Sequence, residues 1–315
     1  MRWGQGKGVA GMLIGAIDIG TNSCRMLLGN YYRGKLEEVK KDLRIVRLGE
    51  GVDRNRLLSE EAMDRALKAI LEFVEEMRAI GVEAITVIGT SALRDVNNAS
   101  LLVEKLREET GLELNIISGD EEARLNYIGA GVEGDDYLVL DIGGGSTEFI
   151  WQDKGTGINY RSLDIGAVRM TERHIGDIEK VPRAEELLLI EKDVRKTMEE
   201  ELEDIPENIH RAIGLGGTIT TLAAIDQQLE EYDPARIQGY QLHRERIEEL
   251  LQRLARLDLE ERRKVKGLEP GRADIITAGT RILAVIMDVL ALESIIVSEQ
   301  DLLYGAIRVL AENSV

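Results

Sequence analysis

From Leu13 the chain alternates apolar, β-prone runs with stretches whose apolar residues recur every three or four positions. LIGAIDIG, starting at Leu13, reads as a strand ending in a glycine turn, and CRMLLGNYY, starting at Cys24, as its hairpin partner. Gly34 then turns the chain into LEEVKKDLRIVRL, which predicts a β-meander. Ser59 reads as the N-cap of a helix. Its apolar positions Ala62, Ala66, Ala69, Ile70, Phe73, Val74 and Met77 keep helical spacing up to Gly81. AITVIGTSALR follows as a buried strand ending in a loop, then Asn98 to Thr110 as a helix stopped by Gly111. LNIISG is a further strand and DEEARLNYIGAGV a further helix. This alternation of strands and helices predicts an α/β fold.

The segment YLVLDIGGGSTEFIW then repeats the opening pattern. Aligning Asp18 with Asp141 pairs IDIGTNSCRMLL with LDIGGGSTEFIW, 123 residues apart. Both are apolar strands that end in Asp-Ile-Gly, pass through small polar residues and start a second strand. Two such segments predict a duplicated domain with a cleft between its halves. The expected division is a flexible leader over 1–11, domain I over 12–134 together with a C-terminal helix over 301–315, and domain II over 135–300. The boundary is placed near Gly134.

Composition narrows the class. Hydrophobic residues make up 43% of the chain but aromatics only 4%, so the cores must rest on Ile, Leu, Val and Ala. Cys24 is the only cysteine, which excludes an intrachain disulfide framework and fits a cytoplasmic protein. No apolar run approaches the roughly 18 residues of a membrane-spanning helix, and MRWGQGKGVAG has no secretory hydrophobic region. A net charge of −18 argues against nucleic-acid and anionic-membrane partners. Self-association as a homodimer stays open.

The two glycine turns carry the chemistry. In Asp141-Ile-Gly-Gly-Gly-Ser-Thr147, Gly143, Gly144 and Gly145 let several backbone N–H groups approach an anion, and Ser146 and Thr147 add hydroxyl donors. The first turn offers Gly20, Thr21, Asn22 and Ser23 from the other side of the cleft. Asp18 and Asp141, at the strand ends, could hold Mg²⁺, or Mn²⁺, which takes one or two carboxylates together with waters and phosphate oxygens. A tight hairpin explains one such turn; two related turns, each preceded by an aspartate, point to phosphate. A polyanionic substrate in so acidic a chain then requires a locally basic cleft.

The segments AIDIGTNSCRML, VIGTSALRDVNN, IISGDEEARLNYIGA and VLDIGGGSTEF, in this order, resemble the exopolyphosphatase/guanosine pentaphosphate phosphohydrolase family. The resemblance continues through SLDIGAVRMTE, AIGLGGTITTLAAI, GRADIITAGTRIL and VSEQDLLYGAI, from Met12 to the C-terminus. It implies two duplicated ribonuclease-H-like domains of the actin-like ATPase superfamily. It also implies divalent-metal-dependent removal of a terminal phosphate from polyphosphate or a guanosine polyphosphate. Longer members carry further C-terminal helical domains; a chain stopping at Val315 is expected to favour short polyphosphate or a nucleotide.

Within Ser118-Gly-Asp-Glu-Glu-Ala-Arg124 the resemblance assigns the catalytic carboxylate to Glu122, the residue before Ala-Arg. A carboxylate there could deprotonate the attacking water. Glu121 and Glu122 could equally serve the helix N-terminus, and for Glu121 that is the favoured reading. Glu148, beside the second loop, is a further candidate for metal or water. Arg94, at a strand exit, could clamp phosphate, whereas Arg25 is a weaker candidate because strand alternation could point it away. Gly214-Leu-Gly-Gly-Thr218 could cradle a guanosine or merely tighten a strand-to-helix junction. Arg262-Arg-Lys-Val-Lys266 could hold distal phosphates or be a solvated helix face. His174, His210 and His243 lack metal-ligand spacing, and Cys24 has no partner that would make it a nucleophile. Two rivals remain: a sugar or carboxylate kinase of the same superfamily, and a regulator that senses guanosine polyphosphate without turnover.

Overall fold

A computed structural model describes residues 11–131, 137–153, 157–202, 205–206, 209 and 211–313. The expected leader, the boundary near Gly134, His210 and the last two residues lie, wholly or almost so, outside them.

Strand β1 (Met12–Ile19) is apolar at nearly every position because it is central in its sheet and covered on both faces. Ile17 and Ile19 pack with Phe73, Ile70 and Met77 of the helix Glu60–Ile80, while Ile14 and Ala16 pack with Leu303 and Ile307 of the helix Leu302–Asn313. β2 (Ser23–Tyr32) and β3 (Lys35–Ile45) complete the meander, and β4 (Ala84–Gly89) and β5 (Leu114–Ile116) add to β1 in parallel. The sheet order is β3-β2-β1-β4-β5. β3 is its charged edge, as an exposed edge strand must be to avoid pairing with other chains.

The second half is built the same way. β6 (Tyr137–Ile142), β7 (Thr147–Asp153) and β8 (Gly157–Leu163) form a meander. β9 (Arg211–Leu215) and β11 (Ser294–Val297) continue it in parallel, and β10 (Gln241–His243) adds at the edge. The order β8-β7-β6-β9-β11 repeats that of the first sheet. The expected α/β architecture of two duplicated ribonuclease-H-like halves around a cleft is the one observed.

Helix ends follow local signals where these exist. Ser59 Oγ accepts from Ala62 N (3.1 Å), and Gly81 ends the same helix in the left-handed conformation. Elsewhere tertiary contacts intervene. Asn98 does not cap its helix; its amide exchanges two hydrogen bonds with the backbone of Leu58 instead. The strand beginning at Ala84 stops at Gly89, and Ser91–Arg94 winds into one helical turn. β3 stops at Ile45 because the N–H groups of Val46 and Arg47 turn to the Asn22 carbonyl, at 3.0 and 2.9 Å.

The helices Gly119–Ala130 and Leu302–Asn313 cross in backbone contact. A Cβ on Gly129 would lie 1.9 Å from the Asp301 carbonyl oxygen, and one on Gly305 would lie 2.0 Å from that of Leu125. Only glycine permits this approach, which joins Glu122 on one helix to the C-terminal segment bearing Asp301. Among the described residues no helix is long and apolar enough to cross a membrane.

Candidate active site

The two glycine turns are alike down to their hydrogen bonds: Gly20 N donates to Ser23 O and Gly143 N to Ser146 O, each at 3.0 Å. Backbone donors behind each turn hold its carbonyls. Gly49 N reaches Thr21 O (2.8 Å), Ala167 N reaches Gly143 O (2.9 Å) and Val168 N reaches Gly144 O (2.8 Å). In a trans peptide the carbonyl and the next N–H point opposite ways. The N–H groups of Asn22, Gly144 and Gly145 therefore turn the other way, as an anion cradle requires. A cavity of about 70 Å³ lies between the turns, lined by Asp18, Gly20–Ser23, Asp141 and Gly143–Ser146. Glu122, Arg25 and Arg272 complete its charged wall.

Its electrostatics come from burial. Asp18 faces Arg25 across the β1–β2 pair, with Arg25 Nε donating to Asp18 Oδ2 (2.9 Å), and Arg25 also pairs with Asp301. Burial pushes the Asp18 carboxyl up, partly opposed by Arg25. Burial works against the Arg25 charge, but Asp301 and Asp18 outweigh it and raise its pKa. Asp141 accepts from Asn126 Nδ2 (2.7 Å), and burial lifts it to about 6. Glu122 accepts from Arg94 Nη1 (2.6 Å); burial carries it to about 7, with Arg94 pulling the other way. Burial, helped by Glu122 and Asp141, drives Glu148 well above the carboxylate range. Arg272 is buried against Gly217, where burial lowers its pKa.

Three guanidinium groups thus meet five carboxylates, so the cleft is basic only in part. Asp18 Oδ1 is buried without a hydrogen-bond partner. An orphaned carboxylate oxygen beside a second buried carboxylate suits a divalent cation, which takes one or two carboxylates and fills its other positions with water and phosphate oxygens. Among the described residues no three His, Cys, Asp or Glu side chains converge as metal ligands, so Glu148 does not join Asp18 and Asp141 in one set. Glu148 instead accepts from Ser162 Oγ (2.9 Å) and does not line the cavity.

Two other candidates stand outside the cavity. Thr147 is fully buried and its hydroxyl donates backwards to the Ile165 carbonyl. Arg94 reaches the site through Glu122 and borders a neighbouring polar hollow with Gly119 and Arg161. The Arg262–Lys266 run does not line the phosphate cavity. Arg262 is buried on Thr277 Oγ1 (2.9 Å) and the Ile178 carbonyl (3.0 Å), while Arg263 pairs with Glu260 and Lys266 with Glu230. His174 bonds Asp193 (2.9 Å), and Cys24 is a packed core residue whose thiol burial pushes up.

Residues 30–311 match the Ppx/GppA phosphatase family. The chain belongs to that family. It is 38% identical over 311 residues to the bifunctional 3-dehydroquinate synthase/phosphatase of Fusobacterium nucleatum, covering 95% of this chain and 46% of that protein. It thus spans about half the length of that relative. To exopolyphosphatase 2 of Mycobacterium tuberculosis it is 34% identical over 314 residues, covering 93% of this chain and 96% of the relative. The solved Aquifex aeolicus member of the Ppx/GppA family superposes with a TM-score of 0.79 at 29% identity, over 96% of this chain and 98% of that one.

Nothing local in the sequence of this Ppx/GppA family member marks Asp301, Asn126, Arg272 or Ser162 as neighbours of the two turns, and strand alternation alone leaves the direction of Arg25 open. One signal was present for Arg25. The offset that aligns Asp18 with Asp141 also aligns Arg25 with Glu148, and each faces its aspartate across the first hairpin of its half. The third glycine turn forms part of the floor. Gly216 is left-handed (φ 83°), and a Cβ there would fall 2.1 Å from Asp141 Oδ1. Beyond it a cavity of about 560 Å³ opens, sharing Arg25, Gly216, Gly217 and Arg272 with the smaller one.

Proposed function

We propose that the chain is a divalent-cation-dependent phosphohydrolase that removes the terminal phosphate of inorganic polyphosphate or guanosine pentaphosphate in the cytoplasm. The observation that carries this reading is a buried carboxylate, Glu122, facing a cavity walled by phosphate-cradling turns from both halves. With the terminal phosphoryl group between the turns, Glu122 accepts a proton from a water whose oxygen bonds to phosphorus. The bond from that phosphorus to the bridging oxygen breaks, releasing orthophosphate and a substrate shorter by one unit. Arg25, Arg272 and the turn N–H groups hold the phosphoryl oxygens, and Arg94 orients Glu122. A divalent cation on Asp18 and Asp141 would neutralise phosphate charge.

The larger cavity falls within the usual range for small-molecule sites. Its wall carries the carboxylates Glu38, Asp42, Glu230 and Glu299 beside the cations Arg25, Lys41 and Arg272, a mixture compatible with either a guanine or further phosphates. Phosphate release should be measured from polyphosphates of several lengths, guanosine pentaphosphate and ATP, with and without Mg²⁺. Release from polyphosphate or guanosine pentaphosphate, dependent on Mg²⁺ and well above that from ATP, is expected. ATP-dependent phosphorylation of a small acceptor would favour the kinase reading, and tight binding of the guanosine polyphosphate without release would favour a sensor.

A further inference from the structure

The first phosphate turn and the segment carrying Arg272 belong to different halves of the molecule, and one side chain spans them. Arg47 Nη1 pairs with Asp274 (2.7 Å), and Arg47 Nη2 donates to the Gly271 carbonyl (3.4 Å). These two residues flank Arg272, whose guanidinium lines the phosphate cavity. At its other end Arg47 is fixed to the first turn, because its own N–H and that of Val46 both donate to the Asn22 carbonyl. Ile45, two residues earlier, pairs with Ser23 of the same turn and lies so close to Gly271 that a Cβ there would come within 2.8 Å of it. Residues 45–47 therefore hold loop Gly20–Ser23 with their backbone and the Arg272 segment with their side chains.

Two further features mark Arg47 as more than a surface charge. Its φ is 48°, a left-handed conformation that non-glycine residues adopt rarely and that persists where surroundings over-determine it. Its partner Asp274 is nine-tenths buried at the side chain, and Oδ1 of that carboxylate has no hydrogen-bond partner. Without Arg47, Asp274 would lose the guanidinium paired with it at the seam between halves and keep only the less direct attraction of Arg262, so the segment would be drawn towards water. Other contacts cross the cleft, such as Gly51 N to Glu172 (2.8 Å) and Lys41 to Glu299 (2.7 Å). Neither ties a phosphate turn to the Arg272 segment.

We propose that Arg47 is a positioning residue that holds the Arg272 segment against the first phosphate turn, so that both halves grip one phosphoryl group. This rests on the phosphohydrolase reading for its kinetic consequence but not for its structural one. Removing the strut lowers the fraction of molecules with the grip assembled, and apparent affinity falls in proportion to that fraction.

Arg47→Gly is the cleanest variant, because glycine keeps the left-handed backbone while deleting the side chain. Asp274→Asn removes the partner charge at constant size. Each should raise KM about ten-fold with kcat changed less than about three-fold, the pattern of lost binding rather than lost chemistry. The double variant should be no worse than Arg47→Gly alone. In parallel, labels at the exposed positions Glu61→Cys and Glu245→Cys would report the distance between the halves without substrate, and its distribution should broaden in Arg47→Gly. Unchanged KM in both single variants, single effects that multiply in the double, or an unchanged distance distribution would each overturn the proposal. If the parent chain releases phosphate from nothing, the phosphohydrolase reading fails, while the distances still decide the strut.

Discussion

Glu122→Gln is expected to lose turnover while keeping its fold and its affinity for substrate. The amide keeps the size of the carboxylate and can still orient a water, but it cannot take the proton. General-base catalysis typically contributes about 10²- to 10⁴-fold in rate, or roughly 2.7 to 5.4 kcal/mol of barrier. The environment of Glu122 fits that role. Burial lifts its pKa to about 7, close to the pH at which a base is most useful, and Arg94 keeps the carboxyl in place. The base must be deprotonated, so kcat/KM of the parent should rise with pH and level off above about 7. Glu121→Gln is the internal control. Glu121 sits in the same first helical turn, half-exposed and paired with Arg124 at 3.0 Å. A carboxylate at a helix N-terminus contributes only about 0.3–1 kcal/mol to stability, so its kcat should stay within a few-fold of the parent. Kinetics at saturating substrate, with thermal melts beside them, make the comparison. If Glu121→Gln were the inactive variant, the motif register would be displaced by one residue. If neither change lowered kcat ten-fold, the segment from Ser118 to Arg124 would not supply the base.

Chelation should abolish activity, and Mg²⁺ or Mn²⁺ should restore it; full turnover in excess EDTA would remove Asp18 and Asp141 from the role of metal ligands. The carboxylate energetics add an independent readout. Both aspartates titrate above their ordinary values because of burial, Asp141 at about 6. The metal-free folded state therefore holds protons that the unfolded chain releases. The stability they bring is fully present below the unfolded pKa of about 4 and is lost as pH rises through about 6. A divalent cation replaces those protons. The rise in melting temperature on adding Mg²⁺ should accordingly be larger at pH 8 than at pH 5, and at saturation of about 100 times Kd such binding is worth about 2.7 kcal/mol. A shift that is equal at both pH values would count against these two carboxylates as the binding site.

What the sequence revealed, and what it did not, divides by the range of the interactions. The helix from Glu60 is readable because Ser59 and Gly81 act on backbone groups within a few residues. β1 and β6 are readable because burial on both faces leaves a continuous apolar run. The loss of β3 beyond Ile45 was not readable, since it depends on the Asn22 carbonyl of a turn two strands away. The site divides likewise. The two turns and Glu122 lie in short segments with their own chemical logic. Asp301 joins only through Arg25, 276 positions away in the chain, and Asn126 only by the helix facing β6. Thr147 has the right residue type and the right neighbours, yet strand direction sends its hydroxyl to Ile165. The acidic composition also concealed the site: its arginines are few, and Arg25 and Arg94 are matched by buried carboxylates rather than gathered in a basic run.

If the chain hydrolyses phosphoanhydrides as proposed, water activated in this cleft attacks the terminal phosphorus. Turnover in ¹⁸O-labelled water tests it most directly, by mass analysis of both products. One label from water should appear in the released orthophosphate and none in the shortened substrate. Label in the shortened substrate, or phosphate passed to an acceptor with no label incorporated, would contradict it.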